Sequence, residues 1–284
     1  MTGRCDCHIH MVLDGFDWRA AIARHSTGPD DAYIHRVLTQ YRDDGYTYLR
    51  DGGDRWGAGR RARELAADYG IRYRTPLANL CHSGHYGAFI GEKYANLREY
   101  AALVVKHRAE GADFIKVMIS GLMDFDRFGH LTEEGLPADE IRELVHIAHE
   151  EGFAIMAHAN GARTMEAAAA AGMDSIEHGA YADADALAAM AECGTVWVPT
   201  VSAVLNLSGK GRFDEAAVAA IGAHTSENLR QFASMGGHIA CGSDAGAWAV
   251  PHGCNTEEDH LRAILGQDAE TIYSHGNRII MDKF

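Results

Sequence analysis

The chain has 284 residues, is 47% hydrophobic and 23% charged, and holds 31 Gly, 5 Pro and 6 Cys, which excludes fibrous and disordered classes. Its 40 acidic against 26 basic residues give a net charge of -14, which repels polyphosphates, so nucleic acid is not an expected partner. No apolar run reaches the roughly 18 residues of a membrane span, the N-terminus lacks the order of an export signal, and no C-x-x-C spacing occurs; reduced cysteines, no membrane association and a cytoplasmic location are expected.

In chain order, a first strand is expected at Cys5–Met11, followed by short apolar runs that each trail a glycine: Tyr46–Leu49, Ile71–Ala78, Ala112–Met118, Phe153–Ala157, Met173–Ile176, Thr195–Val198 and Gly237–Cys241. Such runs suit parallel strands buried on both faces. The segments between them read as helices. In Ala138–Glu151 the apolar positions Ile141, Leu144, Val145 and Ala148 fall at i, i+3, i+4 and i+7, Pro137 stands near the start and Gly152 ends it. Strand and helix alternating eight times predict an α/β protein, a (β/α)8 TIM barrel in a single domain over 1–284. The competing doubly wound sheet expects a G-x-G-x-x-G loop early in the chain, and none follows the first two strands. Long loops follow strands one, three, four and seven, and in a barrel such loops carry the chemistry.

The strongest chemical signal is Asp6-Cys7-His8-Ile9-His10 at the end of the first strand. Residues two apart on a strand share a face, so His8 and His10 can reach one ion. An isolated H-x-H is more often two polar residues on a wet strand, and its company is what changes the weighting. Lys116, His158, His178 and Asp244 each stand at or near the end of a later strand, where the catalytic residues of a barrel converge. Lys116 in an apolar strand must be neutralised, paired or modified, because burying a bare ammonium is costly. Asp6 either orients a ligand histidine or makes a hydrogen bond within the strand. His146 and His149 sit three apart on an outer helix without a following Glu, and His25, His35, His107, His130, His224, His238, His260 and His275 fall away from the mouth, so surface roles are expected for all of them.

The set His8, His10, Lys116, His158, His178 and Asp244 resembles the binuclear metal centre of the amidohydrolase superfamily. The stretches Gly111–Met118, Ser175–Gly179 and Gly242–Gly246 are most similar to its imidazolonepropionase-like and Xaa-Pro dipeptidase-like branch. The resemblance implies two divalent ions, zinc first on ligand type with manganese, cobalt or iron also compatible. It further implies a Lys116 carboxylated by CO2 that bridges them; His8, His10 and Asp244 on the buried ion; His158 and His178 on the outer one. A hydroxide between the ions would attack a carbonyl, with Asp244 relaying the proton. The branch's usual accessory β-sandwich is expected to be missing, which leaves a face that a second subunit could cover. The loop Cys81–Gly87 resembles the family's Gly-Gly-His-Gly loop imperfectly, which implies His85 and Tyr86 near substrate, and His252 in Val250–Gly253 of the last long loop is expected either to contact substrate or to occupy a turn.

The expected function is thus metal-dependent hydrolysis of an amide-type bond in a small molecule: a dipeptide, an N-acyl amino acid or a cyclic amide. Lactones, esters or organophosphates on the same centre, a mononuclear deaminase, and a metal-stabilised binding protein without turnover are the alternatives. Arg55, Lys93, Lys210 and Arg212 lie in loops from which any could pair a substrate carboxylate.

Overall fold

The short apolar runs become strands with both faces buried. In the computed structural model, which describes residues 3–284, these are β1 (Arg4–Ile9), β2 (Tyr46–Asp51), β3 (Arg72–Arg74), β4 (Leu80–His82), β5 (Glu92–Tyr94), β6 (Ile115–Met118), β7 (Ile155–Ala159), β8 (Ser175–His178) and β9 (Val196–Val198). Every strand pairing is parallel, in one sheet ordered β1-β2-β3 and another ordered β5-β4-β6-β7-β8-β9. Parallel neighbours need crossovers, and helices supply most of them. Asp30, Asn96, Asp183 and Asp214 start four of the helices by accepting an otherwise unpaired N–H of the first turn, each contributing about 1 kcal/mol. The helix Ala138–Glu150 buries Ile141, Leu144, Val145 and Ala148 as the periodicity requires.

Two runs depart from expectation. Ile71–Ala78 is not one strand: pairing stops after Arg74, because Pro76 has no N–H to donate and Leu77 turns into the left-handed region at φ 70°. The chain changes partner there, β3 lying on β2 while β4 lies on β6. Gly237–Cys241 is likewise no regular strand. It makes single parallel bridges, Ile239 with Trp197 of β9 and, further on, Ala245 with Ile9 of β1. Its backbone still bonds to both sides: Trp197 N–H donates to His238 O at 2.8 Å and Cys7 N–H to Cys241 O at 2.8 Å. A side chain at Gly242 would not fit this approach, since a Cβ there would lie 2.5 Å from Val198 Cγ1 and 2.9 Å from the His8 nitrogen.

Inside the strand layer, at the end away from the candidate site, Cys5, Cys7, Phe114, Met156 and Val198 pack on Ile280, Met281 and Phe284 of the C-terminal helix. The largest core cluster lies between the strands β4 and β6 to β9 and their helices. Among the described residues no helix is long and apolar enough to cross a membrane. His25 and His107, expected at the surface, are buried; His25 accepts from Asp30 N–H at 3.1 Å and packs on Tyr33.

Candidate active site

Four strand ends, those of β1, β6, β7 and β8, and the Asp244 loop bring the six sequence-selected residues into one cluster. His8 Nε2, His10 Nε2 and Asp244 Oδ1 form a triangle with sides of 3.3, 3.4 and 3.5 Å. Ligand atoms about 2.1 Å from one tetrahedral cation lie roughly 3.4 Å apart, so the triangle has the dimensions of one face of such a shell. The ring of His178 lies 5.1 Å from His8 and 4.5 Å from His158, centroid to centroid. Lys116 is buried, lines the same cavity, and its Nζ has no hydrogen-bond partner. His10 Nδ1 is also buried without a partner, and Gly52 makes room for its ring, since a Cβ there would lie 2.4 Å from Cε1.

The imidazoles are held neutral, the form that offers a lone pair to a cation. Burial, reinforced by the Lys116 charge, pulls His10 and His158 down to about 3, and burial holds His8 and His178 well below the usual histidine range. Burial also lowers Lys116 to about 8 against the attraction of Glu177, and raises Asp244 to about 7 against that of Lys116. Lys116 Nζ, buried without a hydrogen-bond partner, stands near neutral imidazoles with Glu177 and Asp244 as the neighbouring acidic groups. The donor set and its orphaned atoms therefore fit divalent cations.

Hydrogen bonds fix which ring nitrogen faces the cluster. His8 Nδ1–H donates to Glu177 Oε2 at 2.7 Å, leaving the Nε2 lone pair in the triangle. Glu177 Oε1 in turn accepts from Arg50 Nη2 at 2.8 Å and Ser175 Oγ at 2.6 Å. His158 Nε2–H donates to Gly121 O at 3.1 Å, so its Nδ1 is the free acceptor; His178 Nδ1 pairs with Thr200 Oγ1 at 2.7 Å, so its Nε2 is. Asp6 does not touch a histidine ring. It accepts from Ser243 Oγ at 2.5 Å, Ser243 N–H at 2.9 Å and His8 N–H at 3.2 Å, which ties the Asp244 loop to β1. His178, Thr200 and Asp244 all take positive φ, 67°, 48° and 61°, a conformation that costs about 1–3 kcal/mol for a residue with a side chain and concentrates at functional sites.

The cluster is the floor of a cavity of about 580 Å³, with His10, Lys116, His158, His178 and Asp244 at the base and Trp18, Tyr86, Phe89, Phe125, Phe213 and Trp248 among the walls. Tyr86 stands 4.9 Å from the His158 ring. His85 does not line the cavity; its Nδ1 faces Glu133 at 3.3 Å. His252, expected at the substrate, is instead a brace: Nδ1 bonds Tyr41 OH and Nε2 bonds Leu13 O, both at 3.0 Å, and neither nitrogen is free. Of the four loop cations only Arg212 lines the cavity. Arg50, Glu177 and Thr200 were not singled out from the sequence; a charge inside an apolar strand, the signal that marked Lys116, also marks the first two.

Neutral histidines, a carboxylate and an orphaned lysine thus gather where parallel strands of an α/β protein end. A sequence model of the amidohydrolase family matches residues 3–269, and the chain belongs to that family. It is 26% identical over 251 residues to the ochratoxinase of Aspergillus niger, an alignment that covers 76% of this chain and 51% of the relative. The chain thus spans about half the length of the curated relatives it matches. Among solved structures, a Xaa-Pro dipeptidase with bound methionine in the active site superposes with a TM-score of 0.80 at 23% identity, covering 99% of this chain and 75% of that one. A prolidase complexed with N-methylphosphonate-L-proline gives 0.80 at 24% over 99% and 74%, and the A. niger ochratoxinase gives 0.78 at 23% over 96% and 69%. At these identities the likeness is one of fold.

Proposed function

We propose that the chain is a divalent-metal-dependent hydrolase of amide-type bonds, whose described residues form one domain in which the segment 238–245 joins the two sheets into a (β/α)8 ring. The observation that carries the reading is the His8, His10 and Asp244 triangle with an unpartnered, buried Lys116 beside it. His8, His10 and Asp244 would hold one cation and His158 and His178 a second, with zinc favoured by the imidazole-rich set. Lys116 would be carboxylated by CO2, its ammonium releasing two protons as the N–C bond forms, which replaces a costly buried cation by an anion beside the histidines. Cations so held supply Lewis-acid polarisation of the scissile carbonyl and a water acidified toward neutral pH.

The chain's own residues do the rest. The Asp244 carboxylate lies at the cavity floor, where it takes a proton from the attacking water and returns it to the departing nitrogen. Burial raises its proton affinity, which suits a group that must both accept and release. Thr200 and Glu177 hold His178 and His8 in single orientations, and the apolar walls exclude competing water. Tyr86, over the His158 ring, contacts substrate.

Metal analysis of dialysed protein, with turnover of an amide, ester and lactone panel before and after chelation, tests the reading. Two divalent ions per chain and chelator-sensitive amide cleavage are expected. Lys116→Ala should lose one ion and at least a hundredfold in kcat; a variant that keeps both ions removes the bridging role, and metal-free turnover removes the function.

A further inference from the structure

We propose that Asn160 is a positioning residue for the second cation: its buried side chain locks together the strand ends that carry His158 and His178 and ties both to the hairpin that walls the cavity. This rests on the two-cation reading above and deepens it.

Asn160 is fully buried, two residues past His158, and its backbone N–H donates to Ser120 Oγ at 2.8 Å. Its side-chain amide has one orientation open to it. Ala180 N–H, two residues past His178, can only donate, and it meets Asn160 Oδ1 at 2.9 Å, so the NH2 end faces the other way. There Asn160 Nδ2 donates to Gly121 O at 3.1 Å, the same carbonyl that accepts from His158 Nε2–H and from Ser120 Oγ, each at 3.1 Å. Asn160 Nδ2 and His158 Nε2 stand 3.3 Å apart with both N–H groups aimed at that oxygen. The bond to Gly121 O keeps the His158 proton on Nε2 and the Nδ1 lone pair free for a cation, so whatever fixes the carbonyl also aims the ring. The bond to Ala180 acts on the other ligand. His178 and Tyr181 both hold positive φ, 67° and 62°, and Asn160 pins Ala180 between them, restraining a strained turn.

Gly121 is also the root of a hairpin. Residues 121–133 fold back with an antiparallel bridge between Met123 and Leu131, and Thr132 N–H donates to Leu122 O at 2.8 Å. A Cβ at Gly121 would lie 2.4 Å from Glu133 N, so the two legs close tightly there. Leu122, Met123, Phe125 and Thr132 line the cavity. The tip reaches the facing wall, where Phe125 meets Phe213 at 5.0 Å and Asp126 Oδ1 accepts from Asp214 N–H at 2.8 Å. The hairpin and the second cation thus share one fastening. The ligands of the first cation rest on other bonds, His8 on Glu177 and the Asp244 loop on Asp6, so a substitution at Asn160 acts on one cation of the two.

The test follows stepwise zinc uptake by metal-free wild type, Asn160→Ala and Asn160→Leu in competition with a chromophoric chelator, with folding checked by circular dichroism. In both variants one step should weaken roughly 10–100-fold and the other stay within about twofold of wild type. Leu has the branching and heavy-atom count of Asn, so a role in packing alone predicts that Leu restores what Ala loses. Equal weakening of both steps, no weakening of either, or recovery in Asn160→Leu overturns the proposal and leaves the two-cation reading standing. A wild type that takes up fewer than two ions overturns that reading and this role with it. A measurement on wild type alone covers the case in which neither variant folds. Arg127 is exposed at the hairpin tip, and tryptic cleavage after it should slow about fivefold with one of the two equivalents of zinc and not with the other. A rate that responds equally to both equivalents, or to neither, overturns the coupling of hairpin and cation.

Discussion

At the scale of single residues, the buried pair of Arg50 and Glu177 explains how His8 is held. Both side chains are fully buried, and Arg50 spends its donors on Cys7 O, Ser175 Oγ and Glu177 Oε1 at 2.7, 3.0 and 2.8 Å. A buried ion pair is weak evidence for stability, because desolvating both charges offsets their attraction. Its use here is directional, since the second Glu177 oxygen accepts from His8 Nδ1–H and thereby commits Nε2 to the triangle. Glu177→Gln puts an amide at that position; if its NH2 faces Nδ1, His8 must take the other tautomer and block its own lone pair. Metal affinity should fall 10–100-fold, the range found when such orienting partners are removed. Competition against a chromophoric chelator measures it, and an unchanged affinity would show that packing alone orients His8. His8 and His10 were legible because their type is rare in apolar strands; Glu177 and Arg50 carry the same signal but were not read from it. That Arg212 lines the cavity was not legible, because its sequence context does not separate it from Arg55, Lys93 or Lys210; only the path of the loops does.

At the scale of elements, short apolar runs located the largely buried strands β1, β2 and β6 to β9 to within about three residues at each end. What the sequence missed depends on neighbours. The partner change between β3 and β4 follows from Pro76 and the left-handed Leu77, and β5, Glu92-Lys93-Tyr94, is too short and too charged to read as a strand. That charge has a purpose in the fold. Glu92 binds Lys106 Nζ at 2.8 and 2.9 Å and faces His107 Nε2 at 3.8 Å, fastening β5 to the helix Leu97–Ala109. The bond with His107 and then that with Lys106 hold the Glu92 carboxyl down at about 2, against burial. A carboxyl with a lower pKa in the folded than in the unfolded chain stabilises above its unfolded value and loses that contribution as pH falls. Urea unfolding should therefore find Glu92→Gln about 1 kcal/mol less stable than wild type near pH 7, with the gap closing from about pH 4.5 toward pH 2. A gap that persists at low pH would mean the substitution acts through shape rather than charge.

At the scale of the whole molecule, the candidate centre is where the fold is least self-sufficient. His178, Thr200 and Asp244 are held in left-handed backbone, and Lys116 is buried without a partner, all at one end of the strands. The opposite end is largely apolar, with Phe284 packed on Phe114 and against the Arg50 guanidinium. Such an arrangement is stable as a whole because the core clusters outweigh the local strain, but it leaves a large share of stability to whatever occupies the centre. Ligands that bind only the native state raise its stability by RT ln(1 + [L]/Kd), about 4 kcal/mol when free metal exceeds Kd a thousandfold. For a chain of 284 residues that corresponds to a rise in melting temperature on the order of 5–10 °C. Chelation should lower the calorimetric Tm by that amount, and readdition of zinc should restore it. In Lys116→Ala the chelation-induced drop should shrink to about half, since one site of the pair would be lost. Identical melting curves with and without chelator would show that the strained end of the molecule is stable unaided, and the proposed coupling of cation binding to folding would be wrong.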